Sequence, residues 1–152
     1  MKSRLSASEI AKDICQGAVY YFADKDLLSK EPHYFIVLNR EPQADPFLVL
    51  VVASSKIEER KRLGRNLGYS PETMVTIRQG DFDDFLMETI IDCNSIFQRK
   101  LSALVSKCGA GSLKGCDSRI TGRILRDIIL GVCASVQVPS RVKTMITVSG
   151  SS

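Results

Sequence analysis

Two stretches decide the fold: Tyr34-Phe35-Ile36-Val37-Leu38-Asn39 and Phe47-Leu48-Val49-Leu50-Val51-Val52-Ala53. Both are nearly continuous runs of β-branched, aromatic and aliphatic residues. They are too short for core helices and are bounded by turn formers: Pro32 before the first, Pro42 and Pro46 between the two. Runs of that length and composition are the signature of buried strands joined by a turn. Working toward the N-terminus, Ala18-Val19-Tyr20-Tyr21-Phe22 has strand composition, and residues 24–32 form a polar loop. Ser6-Ala7-Ser8-Glu9 has capping-box spacing, which starts a short helix to about Cys15. Gly17 can stop it.

Working toward the C-terminus, residues 54–71 read as one long connection containing Gly64 and Gly68. Connections of that length in a small domain are commonly functional. Residues 73–77 alternate as a strand does, and residues 79–86 suggest a helical turn that directs Phe82 and Phe85 inward. Residues 89–93 and 95–98 read as one bent strand or two short ones. Residues 98–107 predict a short helix stopped by Gly109, and 109–115 a flexible loop. The strongest periodicity lies in the last helix. There Ile120, Ile124, Leu125, Ile128, Ile129, Val132 and Cys133 share one face, Arg119, Arg123 and Arg126 lie on another, and Asp117 or Ser118 is the expected cap. No pattern is legible after Pro139, so 1–138 is read as a single domain and 139–152 as a flexible tail. Six short strands followed by helices give an α+β, mainly β, fold. A small, strongly bent barrel is expected, because closure removes exposed strand edges.

Composition narrows the class. At 152 residues, 44% apolar and 25% charged, the chain has the size and balance of one ordinary globular domain. It has no apolar run near the ~20 residues that span a bilayer. Its start lacks the apolar segment of a secretory signal, which places it in the cytoplasm without membrane contact. The five cysteines are odd in number and lack C-x-x-C spacing, so they read as reduced, small apolar residues. The net charge of +4 is modest, but Lys56, Arg60, Lys61, Arg62 and Arg65 fall within ten residues. Such clusters attract phosphate backbones or acidic proteins, although a solvated loop looks the same in sequence.

No P-loop, dinucleotide fingerprint or nucleophile elbow is present. His33 is the single histidine, which removes His-rich metal centres from consideration. Asp81, Asp83, Asp84, Glu88 and Asp92 read as a solvated acidic turn. His33 stands where the 24–32 loop meets a buried strand, where imidazole can serve as acid, base or phosphate donor. A capped strand end is the plainer reading. Ser54 and Ser55 close the next strand and open the basic segment, where hydroxyls can orient a phosphate.

The order of these elements resembles the MazF/PemK-type toxins of bacterial toxin–antitoxin pairs, over residues 17 to 135. Gly17-Ala18-Val19-Tyr20-Tyr21 is similar to the family's opening G-x-[IV]-[YW]-x strand. His33-Tyr34-Phe35-Ile36-Val37-Leu38 stands at its R-P-x-[LV]-[VI]-[IL] strand, and Leu50-Val51-Val52-Ala53-Ser54-Ser55-Lys56-Ile57 at the strand ending in a [TS]-[SA] pair. Pro71-Glu72-Thr73-Met74-Val75-Thr76-Ile77 resembles P-x-x-V-x-[IL]. Thr89 to Phe97 resembles S-x-[IV]-x-[CL]-[DE]-Q-[IV]-R, and Gln98 to Lys107 the segment K-x-R-L-x-x-x-[IL]. The chain departs from the pattern at three places. His33 replaces the family's catalytic arginine. The glutamine and arginine of the D-Q-x-R run are lost in Cys93-Asn94-Ser95-Ile96-Phe97. Residues 59–70 and the N-terminal helix are additions.

The resemblance implies a Src-homology-3-like barrel and a metal-independent endoribonuclease that needs no cofactor and cuts single-stranded RNA. It further implies a homodimer and a neutralising antitoxin protein. His33 and Ser54 are then the expected catalytic pair, with Ser55, Lys56, Arg60, Lys61, Arg62 and Arg65 binding RNA. The alternative is a non-catalytic barrel that binds an acidic protein or nucleic acid, since related barrels include a toxin type that poisons gyrase without cleaving a substrate.

Overall fold

The computed structural model describes residues 2–3, 5–27 and 29–147. Its strands are β1 (Lys2–Ser3), β2 (Val19–Phe22), β3 (His33–Val37), β4 (Leu48–Ser54), β5 (Met74–Ile77), β6 (Thr89–Asp92), β7 (Phe97–Arg99) and β8 (Leu113–Cys116). Its helices are α1 (Ala7–Asp13), α2 (Ile57–Asn66), α3 (Leu101–Gly109), α4 (Gly122–Ala134) and α5 (Ser140–Ile146). The fold is α+β, built on one antiparallel sheet. Strands follow the order β1-β8-β2-β3-β4-β6-β5, and β7 also pairs with β4.

The two apolar runs form the centre of the sheet, as their composition requires. Phe35 pairs with Val52, Ile36 with Val51 and Val37 with Leu50. Alternate residues then supply two separate cores. Phe35, Val37, Leu48, Leu50 and Val52 point to one side, where Ile10 and Ile14 of the α1 segment and Leu104 and Cys108 of α3 cover them. Ile36, Leu38, Val49, Val51 and Ala53 point to the other, under Ile128 and Val132 of α4 and Val142 and Ile146 of α5. Burial on both faces is why these strands carry no polar alternation.

The ladder stays open. Among the described residues no pairing joins the terminal strands β1 and β5, so the expected barrel closure is not present. Helices on both faces, rather than circular pairing, remove the apolar surface from water. Three further expectations are corrected. Residues 57–66 of the supposed connection are helix α2, a polar helix that leaves only Gly64 buried. Residues 113–116 of the supposed flexible loop are β8, which lies between β1 and β2. A Cβ at Gly115 would collide with the Leu5 side chain, so the glycine that reads as a loop signal is a close-packing requirement. The tail expected from 139 holds α5 through Ile146, whose Val142 and Ile146 are fully buried. Residues 148–152 lie outside the described residues.

The capping box at α1 is present: the Glu9 N–H donates to Ser6 Oγ at 3.2 Å and the Ser6 N–H to Glu9 Oε1 at 3.0 Å. α1 ends at Asp13, before Gly17. Gly17 instead sits at φ +90°, and the backbone of Ile120 crosses so closely that a side chain would strike its carbonyl. The Ile120 N–H donates to the Gly17 carbonyl at 2.8 Å, tying the start of the sheet to the approach of α4. That helix begins at Gly122 behind Thr121, so neither Asp117 nor Ser118 caps it. The five cysteines form no disulfide, as their number and spacing suggest. Among the described residues no helix is long and apolar enough to cross a membrane.

Candidate nucleic-acid cleft

β3 starts where β4 ends, because the two strands are antiparallel neighbours. Continuing their register two residues outward sets His33 opposite Ser54. Both side chains line one cleft of about 840 Å³ at this end of the sheet. His33 is half-buried, and its Nδ1 lies 2.8 Å from the Glu31 carbonyl. A carbonyl only accepts, so Nδ1 carries the proton and the neutral ring presents Nε2 as its basic atom. Ser54 Oγ accepts from the Lys56 N–H at 3.1 Å, which directs its own hydroxyl proton to another acceptor.

The first turns of α2 form one wall. Lys56, Glu59, Arg60 and Leu63 follow helical spacing and all line the cleft, with Ser55 just before them. The same geometry divides the basic cluster. Lys61, Arg62 and Arg65 fall on other faces of α2 and do not line the cleft. The second wall is the 78–88 segment. Phe82 and Phe85 are buried as expected, and Leu86 and Met87 stay on the rim at 82% and 58% exposure. The Tyr34 ring packs at 4.7 Å from Tyr21 and 5.1 Å from Phe85, giving the cleft an aromatic floor.

The third wall comes from the β6–β7 turn, where Asp92, expected in a solvated acidic turn, is instead buried. Buried Asp92 accepts at Oδ1 from the Asn94 N–H at 2.9 Å and from Asn94 Nδ2 at 3.0 Å. Its Oδ2 accepts from Ser95 Oγ at 3.3 Å. Asn94 also donates to Thr73 Oγ1 at 2.8 Å and accepts from Ser135 Oγ at 2.6 Å. This network joins the turn, the approach to β5 and the end of α4. The adjacent Cys93 thiol is pushed up to about 12 by burial, with the Asp92 carboxylate adding to the effect. Asp92, Ser95 and Phe97 line the cleft, so the network fixes part of its wall.

The loop between β2 and β3 forms the fourth wall through Asp26, Leu27, Ser29 and Pro32. Arg99 holds its start. The guanidinium donates from Nε to Asp24 Oδ2 at 2.9 Å, and from Nη2 to Asp24 Oδ1 and Asp26 Oδ2 at 2.7 Å each. These bonds hold the Asp24 carboxyl below its ordinary range against the opposing pull of burial. Neither Asp24 nor Arg99 carries a local signal: they lie 75 residues apart and meet only through the fold.

The cleft therefore brings together His33, Ser54, Ser55, Lys56 and Arg60 among aromatic rings, with the carboxylates Asp26, Glu59, Asp84 and Asp92 at its edges. Chemically it offers a positioned base, a hydroxyl and two cations, set among four carboxylates. Comparison with protein-family models and with curated proteins returned no match.

Proposed function

We propose that this chain is a MazF/PemK-like, metal-independent endoribonuclease acting on single-stranded RNA, the toxin of a toxin–antitoxin pair. The observation that carries the reading is the convergence of His33 and Ser54, from two different strand ends, on one cleft with Lys56 and Arg60. The bases would stack on the aromatic floor and the backbone would run past the first turn of α2. His33 Nε2 takes the 2′-hydroxyl proton as the 2′-oxygen bonds to the adjacent phosphorus. Ser54, Lys56 and Arg60 stabilise the charge that gathers on the phosphorane oxygens. The bond to the 5′-oxygen breaks, and the imidazolium returns its proton to that oxygen. A 2′,3′-cyclic phosphate and a 5′-hydroxyl result. A homodimer and a neutralising antitoxin belong to the same proposal.

The experiment is incubation of a long RNA with the protein in EDTA, beside His33→Ala and Ser54→Ala. The expected result is cyclic-phosphate ends from the wild type and a loss of roughly 10²–10⁴-fold in His33→Ala. No cleavage by the wild type, or equal cleavage by the histidine variant, refutes the assignment.

One feature favours a second reading. Leu63, Leu86 and Met87 stay exposed on the rim beside Lys56 and Arg60. That surface suits a non-catalytic module that binds an acidic, partly apolar protein segment. RNA binding that weakens steeply with salt supports the nuclease. Salt-insensitive or absent RNA binding supports the module.

A further inference from the structure

We infer that Arg99, acting with Asp24 and Asp26, is the positioning device that sets the orientation and tautomer of His33. The inference rests on reading the cleft as catalytic, but its first test does not require catalysis.

The 23–32 loop is polar, and a loop of that composition gains little from burial. It is held at chosen points instead. Arg99 grips Asp24 with two parallel bonds and Asp26 with a third. Asp24 in turn accepts from the Asp26 N–H at 3.0 Å, closing a turn on its own side chain. Lys107 Nζ donates to the Ala23 carbonyl at 3.2 Å, holding the backbone just before the grip. Arg99 is itself anchored. It pairs with Leu48 at the base of β4, and its guanidinium lies 5.4 Å from the centre of the Phe97 ring. The far end of the loop closes on Ser29, whose Oγ accepts from the Glu31 N–H at 3.2 Å. That turn aims the Glu31 carbonyl at His33 Nδ1.

The consequence is chemical. Free histidine side chains favour the tautomer with the proton on Nε2, in which Nε2 itself cannot take a proton from a 2′-hydroxyl. The Glu31 carbonyl selects the other tautomer, and on this inference the Arg99 grip keeps in place the loop that presents it. A flat guanidinium fork suits this task, because it fixes direction as well as distance. Each link acts through the next, so Arg99 is a positioning residue that never touches substrate.

His33 is the single histidine in the chain, so its ring nitrogens give two unambiguous nitrogen-15 resonances. At a pH where the ring is neutral, the wild type is expected to show protonated Nδ1 and unprotonated Nε2. Arg99→Gln is expected to move the population toward protonated Nε2, and Arg99→Lys, which keeps charge but loses the fork, to fall between. A wild-type ring protonated on Nε2, or an unchanged spectrum in folded Arg99→Gln, overturns the inference. Should Arg99→Gln fail to fold, Asp26→Asn removes only the more exposed arm. It is expected to give the same shift at smaller amplitude, and no shift overturns the proposal. In the cleavage assay Arg99→Gln should lower turnover on the order of 10- to 100-fold with KM little changed, as a misplaced base does. A tautomer shift without cleavage by any form leaves the positioning device standing and refutes the nuclease reading instead.

Discussion

Replacing Asn94 by alanine is expected to destabilise the protein by about 3 kcal/mol, and the structure says where that energy resides. The Asn94 side chain donates to Thr73 Oγ1 and Asp92 Oδ1 and accepts from Ser135 Oγ. Thr73 and Ser135 are each 1% exposed, so water cannot replace the lost partner. A buried polar group that loses a partner costs roughly 1–3 kcal/mol, and alanine removes the acceptor of the Ser135 hydroxyl and a donor to the Thr73 hydroxyl, which keep only the Gln137 N–H and the Ser70 carbonyl as partners. Asp92 suffers less, because it keeps the Asn94 N–H and the Ser95 hydroxyl. At a urea slope of about 2 kcal/mol/M the unfolding midpoint should fall by on the order of 1.5 M with the slope unchanged. Ser135→Ala removes the partner donor. The double variant should cost about 1 kcal/mol less than the sum of the singles, because the second deletion creates no new orphan. A loss under about 1 kcal/mol for Asn94→Ala, or a cycle additive within about 0.5 kcal/mol, refutes the reasoning.

Gly131→Ala places a methyl group 2.8 Å from both Cys93 Sγ and the Glu72 carbonyl, so α4 must move off the sheet. The expected cost is about 1–3 kcal/mol, a drop of roughly 3–10 °C in Tm by calorimetry, and an unchanged Tm contradicts the close approach. Lys56→Ala and Arg60→Ala should each flatten the dependence of log RNA affinity on log salt by about 0.7, the single-strand value per contact, whereas Arg62→Ala should leave it unchanged; filter binding across a salt series reads the difference. Asp24→Asn should destabilise at neutral pH by on the order of 3 kcal/mol, because it breaks a largely buried charge pair. The Asp24 carboxyl is depressed by Arg99 in the folded protein, so its contribution is complete above the unfolded-chain value near 3.8 and is lost as pH falls through the lower folded value. The stability gap between wild type and Asp24→Asn, measured by denaturant titration, should therefore close below about pH 4 and be flat above it.

The parts legible in sequence were those whose signal is local. The apolar runs announced β3 and β4, Ser6 and Glu9 announced α1, and the apolar stripe announced α4. Strand β8 escaped because both its flanks, Ser112 and Asp117, and two of its members, Lys114 and Gly115, are polar or glycine, and because its partners Tyr20, Tyr21 and Phe22 lie far earlier in the chain, in β2. α2 escaped because it is nearly all charged: with so small an apolar face it has little helical periodicity to read. At the site, His33 and Ser54 were legible as residues at strand ends. The division of the basic cluster was not, since it depends on the helical phase of a segment that read as a loop. Arg99–Asp24 and Asn94–Ser135 pair residues 75 and 41 positions apart, and such pairs have no expression in one sequence.

One wall of the cleft and the fork in the sheet have a common origin in the run Asp92-Cys93-Asn94-Ser95. Along one edge, β4 pairs with β7 through Leu48, Val49 and Leu50, and with β6 through Ala53 and Ser54. Two strands can share that edge only if the chain leaves it between them. Asp92 forces the departure: its carboxylate captures the Asn94 N–H two residues on, which offers the backbone a turn in place of a ladder. Asn94 then locks the turn against Thr73 and Ser135 rather than against β4. β6 (Thr89–Asp92) and β7 (Phe97–Arg99) are therefore two strands, not one bent strand, and along β4 the gap between them falls at Val51 and Val52. The turn so formed supplies one wall of the cleft through Asp92, Ser95 and Phe97.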